Sequence, residues 1–165
     1  MPLEIILEGI GLGMILILCC AVGIRNGAVG MLHFYHRDVQ ERCIEMGLIT
    51  KEQISKRSKR MKSVMLPVYL FYLLLAVYVI NGAGDFPSAA LQCFAILSIL
   101  NLVDRILIDE LWVGHTKAWT IPGTEDLKPY ISKQDRVKKW LIGTVGFALV
   151  SCIAAGVMSA ISLLK

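Results

Sequence analysis

The segment Asn101–Lys117, NLVDRILIDELWVGHTK, sets Asp104, Arg105, Asp109, Glu110, His115 and Lys117 directly after an almost purely apolar stretch. Asn101, Arg105 and Asp109 are each four residues apart, so on a helix they share one face, where a guanidinium can hold an amide and a carboxylate. Asp104 points about 100° away from Arg105 around an α-helix and is expected to need a partner from another helix. Arg25, at the end of the first apolar run, is the expected partner. Three kinds of chemistry follow from these residue types. Arg25, Arg105 and Lys117 can attract a small anionic solute or a lipid headgroup, with Asp104 holding the arginines in place. Asp104, Asp109, Glu110 and His115 can act as acid–base groups. His33, His36 and His115 can supply imidazoles to a transition metal or zinc. The histidine spacing matches no specific metal motif, and the plain alternative is that these side chains cap helix ends or sit at a polar boundary.

The elements that carry these residues are apolar. Of the 165 residues, 56% are hydrophobic and 18% charged, with a mean hydropathy of +0.64; soluble domains carry about 25% charged residues. The charges are segregated and leave four apolar runs: 5–24 with an extension to residue 35, 64–80, 89–108 and 141–164. An α-helix crosses the roughly 30 Å hydrocarbon core in about 20 residues. The expected fold is therefore all-α: one polytopic membrane domain over 1–165, with four transmembrane helices. The opening Met1-Pro2-Leu3-Glu4 lacks a basic n-region, and no small-residue cleavage site ends the first run, so that helix is expected to stay in the mature protein.

Topology follows from the basic residues. All Lys and Arg except Lys165 fall within 25–62 or 105–139, while the Asn81–Ser88 connection has none. The positive-inside rule then puts both termini outside and both long connections in the cytoplasm. Trp112, Trp119 and Trp140 fall near the same boundary, as an interfacial belt requires. The net charge of +4 thus reads as a topology signal, with anionic lipid headgroups as partners. Nucleic acid is excluded as a partner, because no recognition fold or base-stacking motif accompanies the charges. The five cysteines show no C-x-x-C spacing. Four read as small packing residues, and Cys43 as a reduced cytoplasmic thiol.

The first connection reads as a helical hairpin over 36–63. His36–Met46 is polar and periodic, Gly47 is placed to end that helix, and Thr50-Lys51-Glu52-Gln53 fits a capping box opening the next. That next helix runs on into the second span, with Pro67 tolerated inside it. The second connection, 113–137, contains IPGTED, a Pro-Gly turn followed by Thr124 as a helix N-cap. Small-residue stripes mark two spans: Gly9, Gly13, Cys20 and Gly27 on the first, and Thr144, Ala148, Cys152, Gly156 and Ala160 on the fourth. Such stripes allow close helix approach, either within one chain or in a homo-oligomer.

If the third span starts at Ser88 on the outer surface, Asn101 lies about 3–5 Å past the midplane and Asp104 and Arg105 about 9–11 Å past it. An ionised side chain there costs roughly 2.5–3.5 kcal/mol on insertion scales. These residues are therefore expected to face the protein or a wet cavity. Asp109 and Glu110 fall near the inner boundary, where charge is cheap.

The stretch Asp104–Asp126, with its two aspartates, Trp112, His115, Lys117 and IPGTED, resembles a family of small, uncharacterised four-helix integral membrane proteins of bacteria. That resemblance implies a bacterial plasma membrane and carries no activity. Eicosanoid- and glutathione-type membrane enzymes share the size but need an Arg- and His-bearing second helix, which 64–80 lacks. A vitamin K reductase type needs paired cysteines. The favoured function is binding or transport of a small anionic solute or lipid headgroup in a polar pocket at the cytoplasmic side of helix three. A metal-dependent enzyme acting on a lipid or isoprenoid is the second reading, weakened by the lack of a nucleophile beside a base. An accessory subunit of a larger membrane complex is the third.

Overall fold

The computed structural model describes residues 2–131 and 133–163, apart from the side chains of residues 133, 135 and 161–163. It contains no strand among the described residues. Helix α1 spans Pro2–Ile24, and a 3-10 segment follows over Ala28–Phe34. Helix α2 spans Arg37–Glu45. Helix α3, Lys51–Leu74, passes without a break into a π-wound segment, Leu75–Ile80. Helix α4, Phe86–Val103, likewise passes into a longer π-wound segment, Asp104–Val113. Short 3-10 turns at Lys117–Trp119 and Glu125–Leu127 lead to α5, Lys133–Leu163. Four stretches are long and apolar enough to cross a membrane: Pro2–Ile24, Lys51–Ile80, Phe86–Val113 and Arg136–Ala160. The last residue of the expected span 141–164 lies outside the described residues.

Local chemistry accounts for most boundaries. Helix α2 stops at Gly47, where φ is 71° and the Leu48 N–H reaches back to the Cys43 carbonyl at 3.0 Å; glycine is the residue that takes this left-handed turn without strain. Thr50 and Gln53 open α3 with reciprocal hydrogen bonds of 3.3 and 3.2 Å, the expected capping box. Asp85 caps α4 through the Ser88 N–H at 2.9 Å, ahead of Pro87 in the first turn.

Two expectations are corrected. The first helix does not continue to residue 35. Gly27 sits at φ 99° and turns the chain back, so that Gly30 lies against the Gly23 backbone and Met31 packs on Gly23. Thr124 does not cap a helix through its side chain. It is fully buried, donates to the Ile121 carbonyl at 2.8 Å and meets the Tyr130 hydroxyl at 2.9 Å. The Pro-Gly turn before it does form, with Gly123 at φ 86°.

The small residues of α1 are used within the chain. A Cβ on Gly9 would fall 2.5 Å from Ile99 Cβ, and one on Gly13 2.7 Å from Val103, so the backbone of α1 lies directly on α4. The stripe of α5 faces outward instead: Thr144, Cys152 and Ala160 are exposed. Leu12, Val77, Ala89, Cys93, Ile96 and Ala155 form a core at the end that lacks basic residues. A second core at the basic end is built from Val39, Cys43, Ile49, Ile108, Trp119 and Ile121. There the two long connections are tied together by Tyr35 donating to the Trp119 carbonyl at 2.6 Å and by Arg42 to Asp126 at 3.4 Å. Helices α1 and α5 both pack extensively on α4 and, among the described residues, at most marginally on each other, which leaves a cleft floored by α4.

Candidate functional site

The π winding of Asp104–Val113 determines the geometry of the charged residues. A π turn closes i to i+5, so Asp104 and Asp109, five apart, come to one side of the helix. In an α-helix they would diverge by about 140°. Arg105 lies between them. Its Nε donates to Asn101 Oδ1 at 3.2 Å and its Nη1 to Asp109, while its Nη2 forms an ion pair with Asp104 Oδ2 at 2.8 Å. A Cβ on Gly143 of α5 would fall 3.5 Å from the amide of Asn101, which is buried. From α5, Lys139 Nζ approaches Asp109 Oδ2 at 3.4 Å, and Arg136 pairs with Glu110 on the neighbouring face.

The cluster lines a cavity of about 240 Å³ in the cleft between α1 and α5. Asp104, Arg105, Asp109 and Lys139 form its charged wall. Leu16 and Cys20 of α1, with Ile108, form an apolar wall, and Phe34, Tyr35, Trp119 and Tyr130 supply aromatic rings. The rings brace one another: Tyr35 and Tyr130 stand edge to face at 5.1 Å, and Trp112 and Trp119 at 5.5 Å. Burial among them pushes the Tyr35 hydroxyl well above its usual range, assisted by Tyr130 and Cys43, so Tyr35 remains a neutral donor.

Of the residues expected at the site, Asn101, Asp104, Arg105 and Asp109 come together, and Glu110 is adjacent through Arg136. Arg25, His115 and Lys117 do not join them. All three are exposed, and the His115 ring turns back to the Glu110 carbonyl, with Nδ1 at 2.7 Å. The expected Arg25–Asp104 pair is replaced by Asp104–Arg105, because the π turn and the long arginine side chain let sequence neighbours meet. The histidines are also apart. His33 Nε2 lies 3.2 Å from Met61 Sδ, while His36 is exposed at the start of α2. Among the described residues no group of three or more His, Cys, Asp or Glu could hold a metal ion, which corrects the expectation of a His33, His36 and His115 centre.

No family model matches this chain, and neither does any curated protein or solved structure.

Lys139, Arg136, Tyr35, Trp119 and Tyr130 belong to the site and were not expected there. The two cations had a signal: they are three apart at the start of the last apolar run, hence on one face of a helix. The aromatics had none, because only the folding of the connections brings them to the cleft. Both aspartates are committed to Arg105, and no histidine lines the cavity among the described residues. The arrangement is equipped to bind and orient a polar group more than to move protons.

Proposed function

We propose that this is a multi-pass protein of the plasma membrane with its two long connections in the cytoplasm, and that the cavity holds the headgroup of a membrane amphiphile. The positive-inside distribution of Lys and Arg supports that orientation; of the tryptophans, Trp140 is exposed near the basic end, where a membrane boundary would fall, while Trp119 is buried in the core. The observation that carries the binding reading is the cleft itself. One wall is a partly buried ion cluster, the other is aliphatic and aromatic, and α1 and α5 flank the space between them. An amphiphile uses both walls, its polar end against the ion cluster and its apolar part against the aliphatic and aromatic side. At about 240 Å³ the cavity is below the roughly 300–1,000 Å³ of pockets that enclose a whole drug-sized ligand. It suits a headgroup whose tails run out along α1 and α5 into the bilayer.

Native mass spectrometry of the detergent-purified full chain tests this. Wild type is expected to retain a lipid that Leu16→Trp, which fills the apolar wall, no longer holds, while circular dichroism and monodispersity stay the same. Equal lipid retention by the two proteins would overturn the reading.

A further inference from the structure

We infer that the ligand is a zwitterion: a phospholipid headgroup carrying a primary ammonium next to its phosphate. The inference rests on the headgroup reading above and concerns which headgroup the cleft accepts. The ionic side chains of the cavity wall are two carboxylates, Asp104 and Asp109, and two cations, Arg105 and Lys139, which cancel formally. A purely anionic ligand finds no net positive field there, and a purely cationic one finds no net negative field.

The hydrogen-bonding capacity left over is more specific. Arg105 is only 16% exposed and already serves Asn101, Asp104 and Asp109. It organises the acids and has little left for a phosphate. Asp109, 11% exposed, receives both Arg105 and Lys139. Two side chains keep capacity. Among the described residues, Asp104 has a single ion-pair partner and is 25% exposed, and Lys139 is 40% exposed with one contact of 3.4 Å. One is an acceptor on α4 and the other a donor on α5, and both open on the same cavity. A phosphate on Lys139 and an ammonium on Asp104 match that pair, because each ionic hydrogen bond meets its complement. The rings of Tyr35 and Tyr130 in the wall also favour a cation over an anion. A carboxylate partner prefers N–H donors, so a primary ammonium fits better than a quaternary one, which has no N–H to donate.

The test is competition by native mass spectrometry on the delipidated full chain. Phosphatidylethanolamine, phosphatidylcholine and phosphatidylglycerol with identical acyl chains are supplied together. Phosphatidylethanolamine is expected to be retained at least about tenfold over each of the others, the factor that one charge-assisted hydrogen bond supplies. Asp104→Asn should erase that preference and shift retention toward phosphatidylglycerol, since the wall then carries a net positive charge. Lys139→Gln should weaken phosphatidylethanolamine and phosphatidylglycerol alike. Preferential retention of phosphatidylglycerol by wild type, or an unchanged preference in Asp104→Asn, would overturn the zwitterion assignment. Displacement by soluble phosphoethanolamine at equal concentration would assign the site to a solute and overturn the lipid form. Leu16→Trp separates the two levels. If it clears bound lipid while the headgroup preference is absent, only the zwitterion inference falls; if it clears nothing, the cavity reading itself falls.

Discussion

Two stretches of this chain share the π winding and use it differently. Leu75–Ile80 carries no charge and, Tyr78 apart, only aliphatic side chains; it closes with the Asn81 N–H on the Ala76 carbonyl at 2.9 Å and buries Ala76 and Val77 against α4. Asp104–Val113 has the same backbone with charged residues at its opening, and it faces a cavity. Widened turns are frequent at functional sites. Here, however, the winding alone does not make one. With small apolar side chains the extra width is filled by packing. With two carboxylates five residues apart it lets one arginine hold both, and the space beside them stays open.

The largest expected difference between the two stretches is in stability. Arg105→Ala takes from Asp104 its ion-pair partner and leaves Asp109 only the 3.4 Å contact with Lys139, and is expected to cost about 3–5 kcal/mol. Val77→Ala removes two methyl groups from the apolar stretch and is expected to cost about 1–2 kcal/mol. Unfolding in mixed detergent measures both, and similar losses would mean that the charged stretch is held by packing alone. Register is the next test. Inserting one alanine after Ile106, an exposed residue of the charged stretch, puts Asp104 and Asp109 six residues apart, about 120° from one another around an α-helix, and should abolish lipid retention with helix content kept. Deleting the exposed Val79 should leave lipid retention intact. A double-mutant cycle gives a smaller effect: Asp104→Asn with Arg105→Gln should be non-additive by about 0.5–3 kcal/mol, while Asp104→Asn with Arg25→Ala should add.

The smallest effect concerns the connection packed beside the charged end. His33 is held below its ordinary value of 6.5 by burial, then by Lys62 and Arg57. The unfolded chain therefore binds the proton more readily than the folded one. The contribution is complete above pH 6.5 and is lost as the pH falls through the lower folded value. A melting-temperature profile should drop on acidification below about pH 6, and His33→Gln should flatten that drop. An unchanged slope in His33→Gln would remove His33 from the account.

Much of this architecture is legible in the residues. The four apolar helices, the Thr50 capping box, the stop at Gly47 and the turn at Gly123 all rest on local rules that tertiary context left alone. The Asn101–Arg105–Asp109 line was also legible, because a four-residue spacing keeps side chains within reach in either winding. Asp104 was not. Its expected partner depended on 100° per residue, and nothing in the spacing signals a π turn. Arg25 departs from expectation for a related reason: the apolar run through GAVGMLHF reads as continuous, but Gly27 reverses the chain. In the sequence Lys139 and Arg136 read only as topology charges, since their role depends on where α5 docks.

The most direct test is a high-resolution electron cryomicroscopy structure of the full chain in nanodiscs containing phosphatidylethanolamine. Headgroup density between α1 and α5, within hydrogen-bonding reach of both Asp104 and Lys139 and with acyl density leaving along α1, is the result expected. A cleft filled only by acyl chains, or Asp104 and Lys139 turned out to bulk solvent with no headgroup between them, would contradict the account.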